Sequence, residues 1–407
     1  MKSVLVAQLG ARMHYSVPEI LFRNKLLCTF YTDFYSGKFP FSLFKNSNIP
    51  VLQKFNTRKS SIIPSSNVKH FPVFGIESAL NLRKAKNVNE QLEEFIRSGV
   101  VFSNKIIQDF DPTKTTTIYG FNTACLELFQ FAKPQGIKLI LEQTIAPFYV
   151  ERILLQKEEQ KFPDWIIETE KYDEGLVNEI CLREKEEMLL ADVILGASNF
   201  VKDSIESFLP EVKNKIAIVP YGVRNSIQSI KKEIIDSRPL RILVAGTVGL
   251  RKGSPYVLEA AKQLKGQAEF RMVGSVQFIP DAIRQKLSSS LDLRGLVPRN
   301  EMKEHYQWAD VFLLPSVCEG SATVTYEAMQ YGLPLIVTPN TGAIIEDGKQ
   351  GFVIQVGNSD AIVNSILRLN DKELLKYFIE QVEQKKAETT FEAYETRLLK
   401  ALSGFFN

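Results

Sequence analysis

Glu319 and Glu327 stand eight positions apart in the stretch EGSATVTYEAMQYG, directly behind an apolar run, ADVFLLPS, that reads as a buried strand. A core crossover needs neither carboxylate. If TVTYEAMQYG forms the next helix, Glu319 lies in the connecting loop and Glu327 in the helix, and the backbone amides of Gly320, Ser321, Ala322 and Thr323 point outward at a helix N-terminus. Such a terminus suits oxygens and anions. A carboxylate beside those amides would accept hydrogen bonds from neutral hydroxyls, so the implied ligand is both polyhydroxylated and phosphorylated. On their own, the two glutamates are better read as a helix-start charge and a solvated side chain. The residues around them reverse that reading.

The elements that must position this stretch are α/β layers. Strand-like apolar runs alternate with helical periods along the whole chain, which points to parallel sheets. In the first half the strands read SVLVAQL, LLCTFYT, TTTIYGF, IKLILEQ, DVILGAS and KIAIVPYG. After a polar stretch, 225–238, a second unit begins with RILVAG, a helix from GSPYVLEAAKQL and EFRMVG. It continues through a short LDLRG, a helix RNEMKEHYQWA, DVFLLPS and PLIVTP. This predicts two doubly wound Rossmann-like domains, at 1–225 and 226–385, facing across a cleft at the carboxyl ends of their strands. The remaining residues, 386–407, are expected to form a helix crossing back to the first domain.

Composition sets the outer bounds. With 407 residues the chain is too long for one core, and a net charge of +3 excludes a nucleic-acid-like balance. Residues 1–100 nevertheless hold 14 Lys+Arg against 6 Asp+Glu. Cys28, Cys125, Cys181 and Cys318 form no C-x-x-C pair, which fits a reducing, cytoplasmic setting without disulfides or zinc. No signal-peptide pattern or membrane-length apolar run is present. The segment 36–60 mixes Phe39, Phe41, Phe44 and Phe55 with Lys38, Lys45, Lys54, Arg58 and Lys59. Such a mixture suits peripheral contact with an anionic membrane surface, or else a helical excursion whose phenylalanines enter the core.

The sequence PSVCEGSATVTYEAMQYGLPLIVT resembles the Glu-x7-Glu signature of the retaining nucleotide-sugar glycosyltransferases of GT-B fold, the family 4 type (glycosyl transferases group 1). RILVAGTVGLRKGSPYVLEAAKQL, LDLRGLVPRNEMKEHYQWADVFLLPS, ADVILGASNFVKDSI and IAIVPYGV are similar to other segments of that family in the same order. TGAIIEDGKQGFVI is a looser match. The resemblance implies that Arg251 and Lys252, in the loop carrying Gly246, Thr247 and Gly249, meet the donor diphosphate. Cations at a helix start oppose its dipole, a conflict that an anionic ligand resolves. Glu319 would contact hydroxyls of the transferred sugar, Glu327 would hold the ribose, and the turn of Arg294, Gly295 and Leu296 would receive the base.

Two departures from the family pattern are visible. Thr247 stands where the family usually has Arg, leaving Arg251 as a substitute. The histidine common after the fourth N-terminal strand is missing from TTTIYGFNTACLE, so Tyr119, Phe121 or Asn122 must act there. Gly10 stands alone where relatives have a glycine pair, and His14 beside it either reaches the cleft or is a solvated turn residue. Glu142 and Gln143 end a strand facing the cleft and bind acceptor or cap the strand. The Asp-x-Asp of Asp109 and Asp111 reads as a turn before Pro112 and not as a metal motif.

The expectation is therefore metal-independent, cofactor-free transfer of a hexosyl-type sugar from a nucleoside diphosphate sugar to an unidentified acceptor, with retention and without nucleic acid as partner. A non-catalytic nucleotide-sugar binder is the alternative that the two departures motivate. A nucleotide-sugar epimerase of the same fold is disfavoured by the Glu-x7-Glu context.

Overall fold

The computed structural model describes residues 3–38, 58–167, 171–224 and 237–405. Its strands, numbered β1 to β13 in chain order, form two all-parallel sheets. The first contains β1 (Val4–Gln8), β2 (Leu27–Thr32), β3 (Val68–His70), β4 (Thr117–Phe121), β5 (Lys138–Gln143), β6 (Val193–Gly196) and β7 (Ile216–Ile218), in the order β3-β2-β1-β4-β5-β6-β7. The second contains β8 (Leu240–Ala245), β9 (Ala268–Val273), β10 (Asp292–Gly295), β11 (Val311–Leu314), β12 (Leu335–Val337) and β13 (Gly351–Val353), in the order β10-β9-β8-β11-β12-β13. β3 and β13 were not legible as strands. Each is three residues long, as are β7 and β12, but lacks the longer apolar run that made those two legible.

These strands are apolar on both faces because helices cover both sides of each sheet. Val4 and Val6 enter one core layer with Phe30 and Ile140, whereas Leu5 and Ala7 enter the opposite layer with Phe102 and Leu139. Ile242 and Val244 likewise face one layer of the second sheet, and Leu243 and Ala245 the other. Strand order reverses between β1 and β4 and again between β8 and β11. In doubly wound sheets these switch points open a crevice outside the carboxyl ends of the strands.

The chain passes between the two sheets more than once. The helix Lys372–Lys385 packs Leu375 and Phe378 into the second core, and the helix Phe391–Leu402 then packs Phe391, Tyr394, Leu398 and Leu402 into the first. At this return Thr390 pairs with Val223, and a Cβ on Gly222 would sit 2.1 Å from the Thr390 carbonyl. A further arm leaves the first domain at the end of the helix Phe148–Lys161. Glu158 accepts from Tyr256 at 2.6 Å, and Trp165 is buried in the second core.

Among the described residues, no helix is long and apolar enough to cross a membrane. Of the basic aromatic segment, Phe39, Phe41, Phe44, Lys45, Lys54 and Phe55 lie outside the described residues. Lys38 donates to the Val68 carbonyl at 2.6 Å, and Arg58 pairs with Asp33 at 2.5 Å. Asp109 ends the helix Val88–Asp109 and pairs with Lys69, while Asp111 caps the turn at Thr113.

Candidate functional site

The second switch point gathers the residues singled out between Gly246 and Glu327. β11 ends at Leu314, the loop that follows carries Glu319, and the helix Thr323–Gln330 carries Glu327. The glycine loop after β8 is pressed against the end of β11. Gly253 is left-handed (φ 69°), and a Cβ there would lie 2.1 Å from the Pro315 carbonyl, so a side chain would push the two loops apart.

Glu319 consequently meets both cations. Its Oε1 accepts from Arg251 Nη1 and from Lys252 Nζ, each at 2.6 Å. Lys252 lies across Gly246 and is largely buried, which pushes its pKa down; Arg251 lowers it further, while Glu319 opposes both. Burial also works against Arg251, but Glu319 and Glu151 outweigh it and raise the pKa. Glu151 lies 4.0 Å from Arg251, and burial raises its own pKa despite that cation. Two cations on one carboxylate oxygen form a site that an incoming polyanion can enter by exchange. Thr247 is exposed at its edge.

Glu327 is held separately. Tyr306, stacked on Tyr331 at 5.0 Å between ring centres, donates to Glu327 Oε2 at 2.8 Å, and Arg299 lies 3.5 Å from Oε1. Arg299 also contacts His14 Nε2 from the first domain, so the β1 loop does reach the cleft. Burial lowers the His14 pKa, and Arg299 and Arg224 lower it further. In the turn expected to receive the base, Arg294 pairs with Asp292 at 2.7 Å, Gly295 accepts from the Gly274 amide, and Leu296 is 81% exposed.

The row of loop amides is shorter than the sequence suggests. The Ala322 amide donates to the Thr341 carbonyl at 3.0 Å and is not turned to a ligand. Ser321 Oγ is shared with Tyr326 and the Tyr221 amide, which ties this loop to the first domain. Gly320 lies against that domain too, where a Cβ would meet the Thr144 carbonyl at 1.9 Å. Thr323 opens the helix without a side-chain cap.

Of the expected acceptor-side residues, Tyr119, Asn122, Glu142 and Gln143 are buried in the first domain. Tyr119 and Glu142 are sealed in the first core, where Tyr119 and Tyr221 both donate to the Glu142 carboxylate and burial raises its pKa. Gln143 is fully buried and donates to Glu184 and the Ile145 carbonyl. Asn122, also buried, bonds Thr144 and Glu184. The family's missing histidine pointed to Tyr119 and Asn122, and the end of a strand to Glu142 and Gln143, but strands in a doubly covered sheet have no open face. Gly10 remains at the cleft, its amide bonded to Asp33 at 3.0 Å.

Three features were missed. Arg12 donates to Thr144 at 2.6 Å across the first switch point, and an Arg beside the lone glycine was an available signal. Tyr306 orients Glu327 from a separate helix. A cavity of about 380 Å³ adjoins the glycine loop, walled by residues of the Phe148–Lys161 helix and of the segment that follows it. Nothing local in the sequence marks that wall.

A family profile described as glycosyl transferases group 1 matches residues 239–372. The amylovoran biosynthesis glycosyltransferase AmsK of Erwinia amylovora is 28% identical over 192 residues, covering 44% of this chain and 47% of the relative. The putative colanic acid biosynthesis glycosyltransferase WcaL of Salmonella typhimurium is 27% identical over 191 residues, covering 43% and 47%. The matched stretch thus spans about half the length of these relatives. Likeness in three dimensions reaches further. Anabaena Alr3699/HepE, solved in complex with UDP and glucose, superposes at a TM-score of 0.65 over 99% of this chain and 100% of its own, at 12% identity. The chain has the GT-B fold. A second GT-B structure, the lipopolysaccharide outer core galactosyltransferase WaaB in its apo form, gives a TM-score of 0.60 over 99% of both chains at 14% identity. In GT-B terms, the Glu319 cluster belongs to the C-terminal sheet and faces the N-terminal one through Gly320 and Ser321.

Proposed function

We propose that the protein is a retaining, metal-independent glycosyltransferase that moves a hexosyl-type sugar from a nucleoside diphosphate sugar to a glycan acceptor. The observation that carries this is the Glu319 carboxylate held by Arg251 and Lys252 at 2.6 Å each. A donor diphosphate entering beside the glycine loop takes over the two cations. Glu319 is released from them to accept hydrogen bonds from hydroxyls of the sugar, while Glu327, oriented by Tyr306, accepts from the ribose.

Cations preorganised at the diphosphate stabilise charge as it develops on the leaving group. In the reaction the acceptor oxygen bonds to the anomeric carbon as the bond from that carbon to the phosphate oxygen breaks. The acceptor proton passes to a leaving-phosphate oxygen, giving glycosylated acceptor and nucleoside diphosphate. The names of the relatives, which speak of amylovoran and colanic acid biosynthesis, and the UDP and glucose bound by Anabaena Alr3699/HepE support a sugar donor and a polysaccharide setting.

The test is a screen of UDP-, GDP- and ADP-sugars for nucleoside diphosphate release with and without EDTA, on the parent and on Glu319→Gln. Release that survives EDTA and collapses in the variant is expected. Binding of a nucleotide sugar without turnover in the presence of glycan acceptors would favour a non-catalytic binder. Release that stops with EDTA would remove the metal-independent mechanism.

A further inference from the structure

We infer that the cavity between the glycine loop and the arm after the Phe148–Lys161 helix receives the acceptor, in the form of a neutral sugar ring. The inference rests on the glycosyl-transfer reading above and assigns the half of the reaction that the Glu319 cluster leaves open. At about 380 Å³ the cavity falls in the size range of small-molecule sites, and both domains contribute to its wall.

Position is the first argument. Arg251 and Lys252 line the cavity and at the same time pair with Glu319, so its occupant lies one side chain away from the donor. The residues expected to bind acceptor from within the first sheet, Tyr119, Glu142 and Gln143, are sealed. An acceptor approaching the cations from this side needs no change in that core.

The chemistry of the wall supplies the ligand class. Phe278 presents an exposed aromatic ring that suits the C–H face of a pyranose, Trp165 and Tyr172 line the wall beside it with rings packed against the second core and the Arg152 guanidinium, and Glu151 offers a hydrogen-bonding edge. The cations on the wall are already matched. Arg152 is paired with Glu159 at 3.0 Å and lies over the Tyr172 ring at 4.3 Å, and Arg251 and Lys252 are matched by Glu319 or, once the donor has entered, by its diphosphate. Matched charge beside aromatic faces favours a polyhydroxylated neutral group over a further phosphate, and the polar edge disfavours an acyl chain. Trp165 is fixed in the core of the second domain, so the platform is set before the ligand arrives. The Glu151 carboxyl, whose protonated form burial favours, can exchange hydrogen bonds with a ring hydroxyl and so position it.

The chain has two tryptophans, and the other, Trp308, lies against Arg271 in the second domain. Trp308→Phe therefore leaves Trp165 as a single fluorescent reporter in the cavity. This protein, saturated with whichever of UDP, GDP or ADP raises its unfolding temperature, is titrated with methyl α-glucoside, methyl α-galactoside and the methyl glycoside of N-acetylglucosamine. A saturable shift in Trp165 emission is expected with at least one of them. Tyr172→Ala and Glu151→Ala should each weaken it by about tenfold, the loss that follows from a missing ring contact or a missing hydrogen bond. Unfolding midpoints check that both variants fold.

No saturable response to any glycoside in the nucleotide-bound protein would overturn the inference. It would also be overturned if the nucleoside diphosphate alone saturated the Trp165 signal and glycosides added nothing, because the cavity would then be part of the donor site. Failure of all three nucleotides to bind would remove the glycosyl-transfer reading itself, and the inference with it.

Discussion

The two switch points of this molecule use their carboxylates in opposite ways. Between β8 and β11, Glu319 is paired with two side-chain cations at the rim of a cleft, an arrangement that a competing anion can take apart. Next to the first switch point, at the ends of β4 and β5, Glu184 and Glu187 on the helix Glu174–Leu190 are buried and bound to amides, Glu184 to those of the Asn122 and Gln143 side chains as well as to backbone. Glu187 accepts from the amides of Thr123 and Cys125, and Glu184 from that of Phe148, so each holds the start of a helix in place. A carboxylate bound to side-chain cations can change partners; one bound to amides is part of the backbone's own hydrogen-bond inventory and leaves unsatisfied donors if removed. The topology is shared, but one switch point is built for exchange and the other for rigidity.

The strongest way to break the exchange half of this comparison is Lys252→Ala. A cation that works harder as the leaving group gains charge should cost turnover more than donor affinity, by about a hundredfold to a thousandfold. Single-turnover rates at saturating donor measure it, and a near-parental rate in a folded variant would reject the diphosphate assignment.

The rigid half is tested by pH. Burial raises the Glu187 pKa from 4.5 to about 7, with the Cys125 and Thr123 amides pulling the other way. Between those two values the folded state holds more protons than the unfolded state. Stability therefore falls as pH rises through this window and levels off above about 7. Glu187→Gln keeps an acceptor for the amides and removes the titration, so the slope, on the order of 3 kcal/mol across the window, should flatten. Urea unfolding at several pH values reads it; parallel curves for parent and variant would show that Glu187 carries no such linkage.

Arg251→Ala should cost about a hundredfold in the single-turnover rate if it stands in for the arginine that Thr247 replaces. Thr247→Arg in that background should then recover part of the loss. No recovery, with the loop folded, would leave Arg251 as a partner of Glu319 only. The smallest effect belongs to Glu327→Gln, for which about a tenfold loss in nucleoside diphosphate affinity is expected, because an amide accepts more weakly than a carboxylate. Calorimetry decides it, and an unchanged affinity would separate Glu327 from the ribose.

What the sequence could reveal followed from how locally each feature is encoded. Glu319 and Glu327 share one strand, loop and helix, and the glycine loop with Arg251 and Lys252 is equally contiguous, so the resemblance carried by the residues around them could single them out where their types and spacing alone did not. Glu184 and Glu187 sit in LREKEEMLL, where they look like solvated helix charges. The backbone amides that they bind lie 36 to 64 positions earlier, which no local pattern contains. Trp165 is similar: its segment reads as a loop, yet its ring belongs to a core whose strands begin at Leu240. Tyr119 and Glu142 misled for a different reason, since a place near the carboxyl end of a strand says which end of the sheet a residue occupies and not whether its side chain is covered.

The helix Phe391–Leu402 completes the first core from the far end of the chain, and this has a consequence for how the protein is made. On a ribosome the N-terminal sheet is finished once Ile218 has emerged, but Tyr394, Leu398 and Leu402 are still to be added. At ordinary elongation speeds the gap lasts roughly ten to forty seconds. Throughout that interval the apolar surface that those side chains will cover is bare, so the nascent first domain is a natural client for a holding chaperone.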